Sequence, residues 1–161
     1  MTTTIEAIAK ILEQEDIGYM FNHEKNFLFV AIALDTIKDQ GIVIKVVKDG
    51  RIVQITAPLL LQIDNNVHKG IVMQKMLEFQ FKTPILKFTC TTLKNNKQYI
   101  EARIDFPIYY NTFTEEHLFF CFNFLRAKLI EQLPRLQHLL DKGCEPPKKN
   151  SLRANIRADV C

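Results

Sequence analysis

Two groupings in this 161-residue chain could do chemistry. His117 and Cys121 stand four residues apart in a helical pattern and so share one face. A thiolate beside an imidazole is a nucleophile or half of a metal site, provided its pKa falls and substrate can reach it. Phe120 and Phe122 flank Cys121, so the expectation is a packed, neutral thiol beside a surface histidine. The second grouping is Glu101, Arg103 and Asp105, alternate residues of one strand pattern, with Lys87 within reach. Such a row can line a polar site on a sheet face, but cross-strand ion pairing on a wetted surface is expected.

The remaining histidines, His23, His68 and His138, show no metal-binding spacing with each other or with carboxylates. Glu115 and Glu116 are accounted for by the positive end of a helix dipole. Five glycines make no phosphate-cradling loop, and no GxSxG motif occurs. The chain is therefore expected not to be an enzyme, with no catalytic residue, metal or cofactor. A Cys/His enzyme acting on a small molecule is the alternative.

The most informative excess is aromatic: twelve phenylalanines and no tryptophan. Phe119, Phe120, Phe122 and Phe124 crowd two turns of one helical segment, and one helix face buries only two of them against a sheet. The others must meet the loop at 109–113, a second subunit or a bound peptide. Phe119, Phe120 and Phe124 are the candidate partner-binding residues, with a homodimer as the economical arrangement and a polypeptide client or regulatory partner as the further possibility.

Residues 1–141 carry 16 basic and 16 acidic side chains, so the net charge of +3 belongs to residues 142–161. A neutral body with a short basic tail is weak material for phosphate contacts, and nucleic acid is not an expected partner. A nucleic-acid-associated regulator using that tail is the third reading. The tail's Leu152, Ile156 and Val160, beside Arg153 and Arg157, could form an amphipathic helix on a partner. Cys90, Cys121, Cys144 and Cys161 form no CxxC pair. With no export signal in the first residues, free thiols and a cytoplasmic location are expected. The longest apolar run, Phe27–Leu34, is far short of the roughly 20 residues that span a bilayer.

These residues need elements to position them. Thr3 and Glu6 read as a capping box for a first helix carrying Ile5, Ile8, Ile11 and Leu12, ended by Gly18. Strand patterns follow at 19–21, 27–34, 41–48 and 51–57, the last two joined by Asp49-Gly50, a type I′ hairpin signal, and closed by Pro58. The second of them is apolar throughout, which predicts a strand covered on both faces. A second helix is predicted from Asn65 or Asn66 to Phe81. A hairpin about Asn95-Asn96 follows, whose strand 98–106 alternates strictly. The last helix starts at Thr114 and ends at Gly143, with a kink or interruption expected near Leu133 because of Pro134. The order α-β-β-β-(β)-α-β-β-α with hairpin connections predicts an α+β fold, a largely antiparallel sheet packed by helices. One domain covers residues 1–143, and a flexible basic tail covers 144–161.

The segments from Gly70 to Phe81, from Tyr99 to Pro107 and from Thr114 to Leu118 resemble the YbjN family, whose fold is similar to the type III secretion chaperones. The resemblance covers most of residues 3–141 as architecture and about 67–140 as recognisable sequence. Many members carry an Asn near the end of the middle helix and tryptophans near the first strands. Here Gln80 and Phe81 stand in the helix, and tryptophan is absent. The resemblance implies the fold, a tendency to dimerise and a role in binding or regulating other polypeptides, with no catalytic residues to carry over.

Overall fold

The computed structural model describes residues 3–34, 37–108 and 113–147. The elements run α1 (Ile5–Gln14), β1 (Tyr19–Asn22), β2 (Phe27–Leu34), β3 (Ile37–Val47), β4 (Ile52–Gln62), α2 (Lys69–Lys82), β5 (Leu86–Thr92), β6 (Gln98–Pro107) and α3 (Glu115–Lys142). The strands form one antiparallel sheet in the order β1-β2-β3-β4-β6-β5. This is the α+β order expected, with the optional fourth strand present.

Register explains the core. Leu28, Ile44, Ile55, Ile104 and Leu86 are aligned across five strands and are all buried. The apolar stripe of α1 (Ile5, Ile8, Leu12) joins them in one cluster with Leu118, Leu125, Leu129 and Leu136 of α3. Each such side chain contributes about 1.5–3 kcal/mol on leaving water. The strict alternation of β6 puts Ile100, Ala102 and Ile104 into this core and leaves Glu101, Arg103 and Asp105 half-buried on the other face.

That opposite face corrects the reading of Phe27–Leu34 as a strand covered on both sides. Leu28 and Val30 are buried, but Phe27 and Phe29 are only half-buried and Ala31 is exposed. Phe29 answers a local need. The Phe29 ring lies over Gly41, so close that a Cβ there would come within 2.0 Å of it.

Four boundaries differ from expectation for identifiable reasons. Thr4, not Thr3, caps α1, its Oγ1 accepting the Ala7 N–H, because Thr3 is buried and its hydroxyl is used by Phe113. Helix α1 also stops at Gln14, before Gly18, where Asp16 takes a positive φ of 54°. Pro58 does not close β4. The register shifts between Ala57 and Leu61, with Leu59 at φ 54°, and a bulge is where a strand tolerates a residue lacking an N–H. Helix α2 starts at Lys69, because Asn66 folds a turn instead, its Oδ1 accepting the His68 N–H and its Nδ2 donating to the Leu140 carbonyl.

Pro134 does not interrupt α3, which runs unbroken for 28 residues. Leu129 and Leu133 before it and Leu136, Leu139 and Leu140 after it are all buried, and their burial outweighs one missing backbone bond. Gly143 ends the helix as expected, in the left-handed region at φ 72°, where a Cβ would strike the His68 ring at 2.6 Å.

Candidate functional site

The His117–Cys121 pair shares a helix face without forming a reactive couple. Cys121 is fully buried, and burial pushes its thiol up to about 12. The His117 ring turns to the helix start, where its Nδ1 accepts the Thr114 N–H at 3.1 Å. It also packs against Phe106 and Phe113, with ring centres 4.8 and 5.8 Å away. The imidazole therefore acts as part of a capping box and an aromatic cluster.

The charged row of β6 is engaged by side chains of β4 and β5. Asp105 takes Lys87 Nζ at 2.6 Å and the Gln54 amide at 3.1 Å, and Glu101 accepts from the Thr89 hydroxyl at 2.8 Å. Arg103 Nε lies 3.1 Å from Asp105, close enough for an ion pair, but its N–H makes no aligned hydrogen bond among the described residues. No group of three potential metal-ligating side chains occurs among the described residues.

The phenylalanines of α3 separate. Phe120 is 50% exposed and stacks on Phe124 at 5.8 Å, while Phe119, Phe122 and Phe124 are half-buried, the last two packed against the core. Of the loop at 109–113, Phe113 is buried edge-on to Phe106 at 5.5 Å. Residues 109–112 lie outside the described residues.

A larger apolar exposure lies on α2, where Leu77 does not join the buried row of Val72 and Met76. Val72, Met76 and Phe79 face the core, while Met73, Leu77 and Phe81 stand on the opposite side. Leu77 is 64% and Phe81 88% exposed. The signal was present in the spacing: residues 73, 77 and 81 form a four-residue repeat offset by one from 72 and 76. The end of α2 also guards a sheet edge, since Gln80 Oε1 accepts the Phe88 N–H of β5 at 2.6 Å.

The chain beyond α3 is described as far as residue 147. Glu145 bridges Lys75 of α2 and Arg135 of α3, the latter at 3.1 Å. Burial pulls the Glu145 carboxyl upward, but hydrogen bonds from Lys75 and Arg135 outweigh it and hold it below the usual carboxylate range. Cys90 and Cys121 are free, but Cys144 is disulfide-bonded, against the expectation of free thiols. Spacing alone carries no information on which sulfurs meet. The expected amphipathic segment at 152–160 and Cys161 lie outside the described residues.

A one-sided antiparallel sheet with three helices on its apolar face defines an α+β fold whose candidate surfaces are apolar helix faces. No protein-family model matches the chain, and no curated protein matches it in sequence. Among solved structures it is similar to the crystal structure of YbjN, "a putative transcription regulator from E. coli", with a TM-score of 0.61 over 91% of this chain and 98% of that one. At 10% identity the likeness is one of fold, and the chain has the YbjN-like fold that the sequence resemblance implied. No helix among the described residues is long and apolar enough to cross a membrane.

Proposed function

We propose that the chain is a cytoplasmic, non-enzymatic protein-binding module that pairs first with a second copy of itself through the outward face of α2. The observation that carries this reading is the exposure of Leu77 and Phe81, one turn apart, on a helix whose other face is in the core. Large apolar side chains at successive turns of one helix are rarely left in water. Gly70 extends the same stripe, so small and bulky residues stand at opposite ends of α2, and a Cβ at Gly70 would meet nothing within 4 Å. In an antiparallel two-fold pairing, Phe81 of each copy lies over the partner's Gly70, and Leu77 lies near Met73. A two-fold contact must be self-complementary, and this stripe meets that condition.

Phe119, Phe120 and Phe124 supply a second apolar patch, which we assign to a polypeptide client. The groups whose types suit chemistry are engaged otherwise: the thiol of Cys121 is buried, His117 caps a helix, and Asp105 is held by Lys87.

The test is mass by light scattering on the wild type, Phe81→Glu and Phe120→Glu. The expected result is a dimer for the wild type and Phe120→Glu, and a folded monomer for Phe81→Glu. A wild-type monomer would overturn the self-pairing. The description of YbjN as "a putative transcription regulator" favours a second reading, a nucleic-acid-associated regulator using the basic tail. That reading requires binding that falls steeply with salt and disappears when residues 145–161 are deleted.

A further inference from the structure

A cleft of about 260 Å³ opens between α2, α3 and the start of β5. Four cations line it, Lys75 and Lys82 from α2 and Lys128 and Arg135 from α3. The one lining carboxylate, Glu131, is held by Lys128 at 2.8 Å. Phe79 forms an apolar wall, with Lys75 Nζ 5.6 Å and Arg135 Cζ 5.3 Å from its ring centre. Both cations also hold carboxylates, Lys75 bonding Glu78 at 2.8 Å and Glu145, and Arg135 bonding Glu145 at 3.1 Å.

Gln132 is the most telling residue of the cleft. It is only 7% exposed, and its Oε1 has no hydrogen-bond partner among the described residues. A buried acceptor left unpaired is costly, and such groups mark places where a donor from outside the chain is awaited. Glu145, meanwhile, shows what the cations can hold, because its carboxylate already lies between Lys75 and Arg135 at the rim.

We propose that this cleft is a binding site for a small hydroxylated organic anion. The phosphate or carboxylate head displaces Glu145 from Lys75 and Arg135, with Lys82 adding positive potential, and the Gln132 amide turns into the cleft so that its Oε1 accepts from a hydroxyl of the ligand. Guanidinium and ammonium groups converging beside an apolar wall favour such a head through charge-assisted hydrogen bonds. Glu145 is then a competing internal anion, and occupancy of the cleft frees its carboxylate. The site uses the face of α2 that carries Lys75, Phe79 and Lys82, not the stripe of Leu77 and Phe81, and it does not rest on the pairing proposed above.

Calorimetric titration of the full chain at constant ionic strength tests it, with glycerol 3-phosphate and citrate as probes and inorganic phosphate as the head group alone. The expected result is saturable binding of glycerol 3-phosphate or citrate, which distinguishes a phosphate from a carboxylate ligand. Arg135→Gln should weaken it about tenfold or more, and Glu145→Gln should strengthen it several-fold. Gln132→Met, which removes an unpaired polar group without threatening the fold, should abolish the preference over inorganic phosphate. Absence of saturable binding by both the wild type and Glu145→Gln, or binding unchanged by Arg135→Gln and Gln132→Met, would overturn the proposal. The mass in solution is a separate readout, so failure here leaves the dimer question intact.

Discussion

The hydroxyl oxygen of Thr3 accepts the N–H of Phe113 at 3.1 Å, joining the beginning of the chain to the start of α3 across 110 positions. Both residues are buried. Thr3→Val keeps the shape and leaves the Phe113 N–H without its partner, a loss of about 1–3 kcal/mol. Thr4→Ala removes an exposed helix cap and costs about 1 kcal/mol. Urea unfolding midpoints should therefore fall further for Thr3→Val than for Thr4→Ala. Equal midpoints would mean that the long-range bond contributes nothing beyond a cap.

Gly41 is required by Phe29. A Cβ at position 41 meets the ring at 2.0 Å, so Gly41→Ala must push the ring off the strand, at a cost of about 1–3 kcal/mol. In a Phe29→Leu background the same substitution should cost clearly less. Thermal melts of the four proteins give the coupling directly, and additive effects would show that the ring does not depend on the glycine.

Cys121 gives stability a signature at alkaline pH. Burial raises its thiol to about 12 in the folded chain, against about 8.5 when unfolded. Below about 8.5 both states keep the proton and the contribution is complete. Above that the unfolded chain alone ionises, so stability falls with rising pH, by at most about 1.4 kcal/mol per unit, until the folded thiol also titrates. Cys121→Ala should remove this part of the slope, seen as convergence of wild-type and variant unfolding free energies between pH 8 and 10. In the folded wild type, a thiol reagent should label the exposed Cys90 and spare Cys121.

Much of the fold was legible from local rules. Asp49-Gly50 announced a type I′ turn, and the two residues indeed sit at φ 55° and 81°. The alternation of Ile100, Ala102 and Ile104 identified the buried face of β6. Other features depend on distant partners. Thr3 and Thr4 are equivalent caps by sequence, and only the contact with Phe113 decides between them. Pro58 stops a regular strand but fits a bulge, which the pairing with β6 creates. Exposed apolar side chains were half legible: Phe120 could be picked out from aromatic crowding, whereas the repeat at 73, 77 and 81 on α2 separates from the core row only once Val72, Met76 and Phe79 are known to face the core. The cleft between α2 and α3 was invisible in sequence, because Lys75, Gln132 and Arg135 come together only by packing.

Self-pairing through α2 is tested most directly by opposite charges at Leu77. Copies carrying Leu77→Glu and copies carrying Leu77→Lys are weighed by light scattering, separately and as an equal mixture. Like charges at the seam oppose pairing and unlike charges restore it. The expected result is a folded monomer for each variant alone and a dimer for the mixture. A mass equal to that of the wild type for each variant alone would contradict a seam at α2.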